Sequence, residues 1–274
     1  MDQPEKSGPA ARLASTVVIL RDGAQGIEAF MVVRHHAIDF ASGALVFPGG
    51  KVDAKDADPA WDDLAPSATA IPAEQRGLIV AAARETFEEA GLMLARRRGT
   101  QSIVTADDAH RLAERYRAPL LKGETTFHAL LREEGLTLAT ELMVRFAHWI
   151  TPEGLPKRFD THFFLVAAPV VQLGAHDGSE SVEGLWIRPQ QALDDAEART
   201  RTLVFATQLN LKKLTRYASV AEAVSATREG RIVTVMPKLL ERTAQGRKLQ
   251  IPAEAGYGVT EVDVPMHIPS ANKE

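Results

Sequence analysis

Between Arg84 and Leu92 the chain reads Arg-Glu-Thr-Phe-Glu-Glu-Ala-Gly-Leu. In a helix, Glu85, Glu88 and Glu89 stand at i, i+3 and i+4, so their carboxylates converge on one face within reach of a common cation. Left alone they repel, each like-charge pair costing roughly 0.2–0.5 kcal/mol even on an exposed helix. Arg84 is the one local counter-charge. Hard oxygen ligands favour Mg2+ or Mn2+, and Mg2+ is typically held by few carboxylates, with water and substrate phosphate completing its shell. Such a centre bridges phosphate oxygens, lowers the pKa of a bound water and stabilises a leaving phosphate, while a carboxylate takes the proton. Hydrolysis of a phosphate anhydride is therefore the chemistry these residues predict. A bare Glu-x-x-Glu-Glu is a solvated face in most proteins; what separates this one is Phe47-Pro48-Gly49-Gly50 ahead of it and Gly91-Leu92 behind it.

The elements that must position these groups can be read around them. Ala14 to Leu20 and Glu28 to Arg34 are β-branched, apolar runs joined by the turn residues Arg21 to Gly26, which predicts a hairpin. Leu45 to Phe47 is a short strand ending at Pro48, Gly49 and Gly50, where backbone can approach a partner closely. Lys51 to Ile71, rich in Ala, Asp and Pro, lacks periodicity and reads as an inserted surface loop. Pro72 through Ala90 is helix-forming, and Gly91 supplies a left-handed stop. Thr105 to Arg117 and Thr125 to Glu134 are expected helices, with Leu138 to Arg145 a third, making a helical insertion able to cover a substrate site. Arg158 to Ala168, most apolar over Phe163 to Ala168, and Gly184 to Arg188 are expected strands. A short helix follows Pro189, a longer one spans Leu203 to Tyr217, and Ser219 with Glu222 opens a helix to Arg228 as a capping box. Arg231 to Met236 reads as a last strand.

Composition narrows the classes of function. A length of 274 residues and 45% hydrophobic content suit one enlarged domain. A formal charge of −4 gives no electrostatic footprint for nucleic acid. The absence of cysteine excludes disulfides, thiolate metal sites and thiol nucleophiles, and cytoplasm is the expected compartment. No apolar run reaches the roughly 18 residues of a spanning helix, so no membrane is expected as a partner. The adjacent His35 and His36 would point to opposite faces of a strand and cannot form a simple two-histidine metal site.

Taken together, Arg84-Glu85, Glu88-Glu89 and Gly91-Leu92, following Phe47 to Gly50, resemble the box of the Nudix hydrolase superfamily. The first half departs from the pattern. Six residues on from Gly50 stands Asp56 rather than Glu, about twenty extra residues separate it from Arg84, and Thr86 occupies an aliphatic position. The long loop, His148 to Pro152, and Arg158-Phe159-Asp160-Thr161 with Phe163 and Phe164 look like the branch containing the mammalian acyl-CoA diphosphatase related to RP2. The resemblance runs from about Ala14 to Leu193. It implies an α/β Nudix fold, a mixed β-sheet sandwiched between helices (α/β/α), with a helical insertion and C-terminal helices. The implied organisation is an N-terminal disordered tail over 1–12, a single domain over 13–252 and an irregular tail over 253–274. Insertions fall near 57–71 and 95–147, and a helical extension near 200–252.

By the same resemblance Glu85, Glu88 and Glu89 are metal ligands for Mg2+, with Mn2+ as the alternative, and Arg84 joins loop to helix through a buried ion pair. The expected catalytic bases are Glu85 and, from a loop beyond the box, Glu180, with Glu183 after it. Arg34, Gly49, Gly50, Lys51 and Arg158 form the expected substrate-binding set, Arg158 as a phosphate contact and Trp149, Phe159, Phe163 and Phe164 as core. The signature of CoA-cleaving relatives is kept in part, by Gly43 and Phe47 to Gly50, while Asp39 and Phe40 stand where a second basic residue belongs. The implied activity is metal-dependent cleavage of a nucleoside diphosphate linked to another moiety, with CoA or acyl-CoA first. ADP-ribose, NADH or nucleotide sugars come next, and a non-catalytic nucleotide-binding module is the rival of another class. A small-molecule nucleotide is the expected partner, and the C-terminal helices pack on the sheet or mediate a homodimer.

Overall fold

The computed structural model describes residues 9–33, 44–69, 71–173, 184–244 and 246–265. Strands β1 (Arg12–Gly23) and β2 (Gly26–Val33) form the expected hairpin, closed by the pairing of Gly23 with Gly26 at φ +112°. Two short strands follow, β3 (Ala44–Val46) and β4 (Gly49–Lys51), and then helix α1 (Ala73–Ala90), entered through Pro72 and ended by Gly91 at φ +67°. The insertion contains β5 (Ala95–Arg97), α2 (Ala106–Leu121), α3 (Phe127–Glu133) and β6 (Leu136–Leu138). Next come β7 (Val144–Ile150), β8 (Phe159–Ala167), the single turn α4 (Val170–Leu173), β9 (Gly184–Ile187) and α5 (Pro189–Glu197). The chain closes with β10 (Thr202–Leu203), α6 (Phe205–Leu214), α7 (Val220–Glu229), β11 (Thr234–Val235), β12 (Lys238–Arg242), β13 (Gly246–Gln250) and β14 (Glu261–Pro265).

Among the described residues, nine strands form one mixed sheet with the path β10-β3-β2-β1-β8-β7-β11; β4 pairs β1, and β9 pairs β2. Its centre is the parallel seam of β1 and β8, from Arg12 opposite Phe159 to Leu20 opposite Ala167. Side chains alternate across a strand, and β1 is apolar on both faces, as a strand covered on both sides must be. Val17 and Ile19 enter the core beneath α1 and the insertion. Val18 and Leu20 enter the opposite core, beneath α6 and α7. That is the α/β/α sandwich. On the first face Phe87 of α1, fully buried, stacks on Phe127 of α3 with ring centroids 6.0 Å apart. On the second face Trp149 Nε1 donates to the Tyr257 hydroxyl at 2.9 Å, which donates to Asn210 Oδ1 at 2.7 Å, a chain in which every link is buried.

Three local expectations give way. The helix expected over Leu138 to Arg145 is a 3-10 turn at Thr140–Leu142 followed by β7, because antiparallel pairing with β8 outweighs local helix propensity. The loop over Lys51 to Ile71 is not irregular. It holds three 3-10 turns, two of them capped by Asp53 and Asp58, and they press Trp61 and Leu64 into the core. After Pro252, where an irregular tail is expected, β14 joins β12 and β13 in a separate three-stranded antiparallel sheet, so the segment beyond α7 is not wholly helical either. No described helix is long and apolar enough to cross a membrane.

Candidate active site

Helix α1 carries the three glutamates, and two neighbours fix it against the sheet. Ser15 Oγ in β1 donates to the Leu78 carbonyl at 2.8 Å, and β4 lies beside β1 with Gly50 opposite Ser15 and Gly49 opposite Thr16. Gly50 has no room for a side chain because helix α1 comes so close, and Gly49 has none because strand β1 does. A Cβ on Gly50 would stand 2.3 Å from Glu85 Oε1, and one on Gly49 would stand 2.5 Å from the Ser15 carbonyl. The Gly49 N–H donates to Glu89 Oε2 at 2.9 Å, so the glycine turn and the helix share a carboxylate. At the helix end, the Gly91 N–H donates to the Phe87 carbonyl at 3.0 Å. Buried Gln172 of α4 then clasps the outgoing chain through Met93 and Val104.

Arg84 is the hub. Its Nε and Nη2 donate to Asp56 Oδ1 and Oδ2 at 3.1 and 2.9 Å, its Nη1 to Glu85 Oε1 at 2.8 Å and Glu88 Oε2 at 3.3 Å, and Nη2 also to the Lys51 carbonyl at 3.1 Å. Asp56 is 3% exposed and also accepts the Asp53 N–H at 2.8 Å. This is a two-pronged, buried guanidinium–carboxylate pair, the strong form of such a contact. It closes the loop of about twenty extra residues onto the helix, so Asp56 stands where the box pattern has Glu and is bound to Arg84.

Burial pushes the Glu85 carboxyl up to about 7 against the pull of Arg84, with Glu88 and Glu89 adding to the rise. Burial also raises Glu88, again against Arg84. Desolvation works against the charge of Arg84, but the Asp56 hydrogen bonds and the three surrounding carboxylates hold its pKa above the ordinary value. The cluster therefore holds more negative charge than its buried surroundings favour. All of its ligand atoms are hard oxygens, which fits a divalent cation of the Mg2+ class. Glu85 and Glu88 lean on Arg84 and Glu89 on Gly49, so a bound cation would draw the carboxylate ends together by side-chain rotation.

Of the other expected residues, Gly49 and Gly50 are brought to the glutamates, and Lys51 contributes its carbonyl to Arg84 while its side chain is exposed. Arg158 goes elsewhere. Its Nε donates to the carbonyls of Thr151 and Pro152, each at 3.1 Å, and its Nη1 to Pro9 at 3.2 Å, which ties the start of β8 to the end of β7. Arg34, His35, His36, Asp39, Phe40, Gly43, Glu180 and Glu183 lie outside the described residues. One contact that spacing does not show is Arg117 of α2. Its Nε and Nη2 donate to the Glu88 carbonyl at 2.9 and 2.7 Å, placing a cation at the C-terminal turn of α1, where it offsets the helix dipole. An arginine 29 residues downstream gives no local signal of such a contact.

A mixed sheet between helices, with a glycine turn facing Arg-Glu-x-x-Glu-Glu on the central helix, defines the class: a Nudix hydrolase fold. Residues 65–209, more than half of the chain, match the family model of the NUDT19 Nudix domain, and the protein belongs to that family. It is 24% identical over 234 residues to acyl-coenzyme A diphosphatase NUDT19 of Xenopus laevis, covering 71% of this chain and 61% of that one. It is 30% identical over 171 residues to putative nudix hydrolase 7 of Caenorhabditis elegans, covering 61% and 49%. The chain thus spans 49% and 61% of the length of these two relatives. The crystal structure of a Nudix hydrolase from Alicyclobacillus acidocaldarius superposes with TM-score 0.63 at 30% identity, covering 81% of this chain and 99% of that one.

Proposed function

We propose that the protein is a Mg2+-dependent pyrophosphohydrolase that cleaves CoA or acyl-CoA by attack of water on a phosphorus of the diphosphate. The observation that carries the reading is the glutamate face of α1, with Glu85 buried and Glu88 and Glu89 half-buried, closed by the backbone of Gly49 and Gly50. Glu85, Glu88 and Glu89 would hold the cation, with Mn2+ able to replace Mg2+. The bound cation would neutralise phosphate charge and acidify water. The chain supplies the rest. Arg84, anchored on Asp56, pairs with Glu85 and Glu88, and the Gly49 N–H with Glu89, which keeps the three carboxylates at the cation site until they turn to it. Glu85, packed under Gly50, is assigned the proton; Glu180 is the alternative acceptor, separated from it by comparing Glu85→Gln with Glu180→Gln.

The CoA assignment rests on the NUDT19 relationship. The test is a substrate panel in Mg2+, in which CoA or acyl-CoA gives phosphopantetheine and adenosine 3′,5′-bisphosphate products. Strong preference for ADP-ribose or NADH overturns the CoA assignment. Glu89→Gln should lower kcat by a factor on the order of 100–1,000, about 3–4 kcal/mol of transition-state stabilisation, with the melting temperature held. Near-normal turnover removes Glu89 from the metal site.

A further inference from the structure

A second set of ligand atoms lies away from the glutamates. Among the described residues, His148, Asp160 and His162 alone form a group of three His, Cys, Asp or Glu side chains whose ligand atoms all fall within 4.8 Å of one another. His148 on β7 stands directly opposite His162 on β8, and Asp160 is two residues before His162, so the register of two paired strands puts all three on one face. The imidazoles are stacked face to face, 4.0 Å between centroids and 17° apart in plane. Asp160 Oδ1 is 2.5 Å from His148 Nε2 and 3.5 Å from His162 Nε2. His148 Nδ1 is 2.8 Å from Thr234 Oγ1 on β11, a partner that orients the ring. His162 Nδ1 is buried with no hydrogen-bond partner.

The spacing is that of a metal site nearly closed. Metal bonds of about 2.0–2.1 Å in a tetrahedron separate neighbouring ligand atoms by roughly 3.4 Å. One Asp160 distance already has that value, and the other needs to open by about 1 Å. Two imidazole nitrogens and one carboxylate form a donor set of the zinc class and not of the magnesium class. Side-chain exposures of 15%, 30% and 14% leave an opening for water as a further ligand. The site is also separate from the glutamates. Ser15 stands between Gly50 on one side and His162 on the other, two strand spacings that put roughly 10 Å between those backbones.

We propose that His148, Asp160 and His162 bind a divalent transition-metal ion, Zn2+ by preference, at a site independent of the glutamate cluster. It takes its ligands from two rigid strands and its orienting hydroxyl from a third, so binding also ties β7, β8 and β11 together.

The test uses the full chain, stripped of metal with chelator and kept in excess Mg2+ to fill the glutamate site. Co2+ is the spectroscopic probe and Zn2+ the competitor. Expected are one Co2+ per chain with the intense visible bands of low-coordinate cobalt, displacement by one Zn2+, and a thermal midpoint that rises with Zn2+. His162→Gln and His148→Gln should each weaken Zn2+ binding at least tenfold, and Glu88→Gln/Glu89→Gln should leave it intact. Should either histidine variant fail to fold, paramagnetically shifted imidazole N–H resonances in the Co2+-loaded parent report the ligands directly. Absence of a bound Co2+, binding unchanged in the histidine variants, or binding lost with the glutamates each overturns the site. Turnover enters none of these readouts, so the proposal stands or falls apart from the assigned activity.

Discussion

Removing Asp56 tests whether the split box is held by one ion pair. In Asp56→Ala the Arg84 guanidinium loses its two-pronged partner and the Asp53 N–H loses its acceptor. Breaking a buried pair from one side typically costs about 3–5 kcal/mol, because the remaining charge stays buried. Arg84 keeps Glu85, Glu88 and the Lys51 carbonyl, which reduces the figure to roughly 2–3 kcal/mol. For a chain of this size each kcal/mol moves the melting temperature by about 2–4 °C, so a fall of roughly 5–10 °C is expected by calorimetry. A cycle with Arg84→Met should give a coupling of at least about 1.5 kcal/mol. A metal ligand behaves differently: its loss weakens Mg2+ and leaves the metal-free midpoint alone. A metal-free Asp56→Ala within about 1 °C of the parent, with Mg2+ affinity reduced, refutes the structural role.

Gly50→Ala puts a Cβ against the movable end of Glu85 and not against backbone, so the fold should survive within about 1 kcal/mol while kcat falls tenfold or more. Full activity with an unchanged crystal position of Glu85 contradicts the close-approach argument. Glu134 accepts hydrogen bonds from Arg111, Arg115 and Tyr116, joining α2 to the end of α3, and the Arg111 bond holds its carboxyl below the ordinary range. Its folded pKa being the lower one, the stabilisation is complete above the ordinary carboxylate range and disappears as acid protonates the folded form. Glu134→Gln should therefore cost about 1 kcal/mol near neutral pH, the arginines being half exposed, and nothing once acid has protonated Glu134 in the folded protein. A penalty independent of pH in urea melts rejects the charged bond as its source.

What could be read from the sequence divides by the range of the interaction that decides it. The hairpin of β1 and β2, and α1 with its Gly91 stop, are set by neighbours in the chain, and they stand where turn chemistry and helix propensity put them. The glutamate face follows from the helix alone, and Asp56 from a count along the box, although its grip on Arg84 is a contact across 28 residues that no local pattern encodes. Leu138 to Arg145 misleads because its local preference is helical while its partner, β8, comes later in the chain. The segment from Lys238 to Pro265 is too polar to announce a sheet; its strands are legible only as a threesome. Arg158 is an arginine in a family motif, yet its donors serve three carbonyls. His148, Asp160 and His162 escape for a related reason. Asp-x-His on a strand shows two ligands on one face, but the third is supplied by strand register, which no local pattern encodes.

The β1–β8 seam also dictates the order in which this molecule can come into being. Gly49 and Gly50 lean on β1, α1 packs across it, and β1 finds its parallel neighbour only in β8, which is synthesised after the whole insertion. Pairings of that sequence separation are slow to close, because chain entropy is lost before the contacts repay it. A nascent chain ending before Phe159 would hold every glutamate of the box and still lack the strand that keeps them in place.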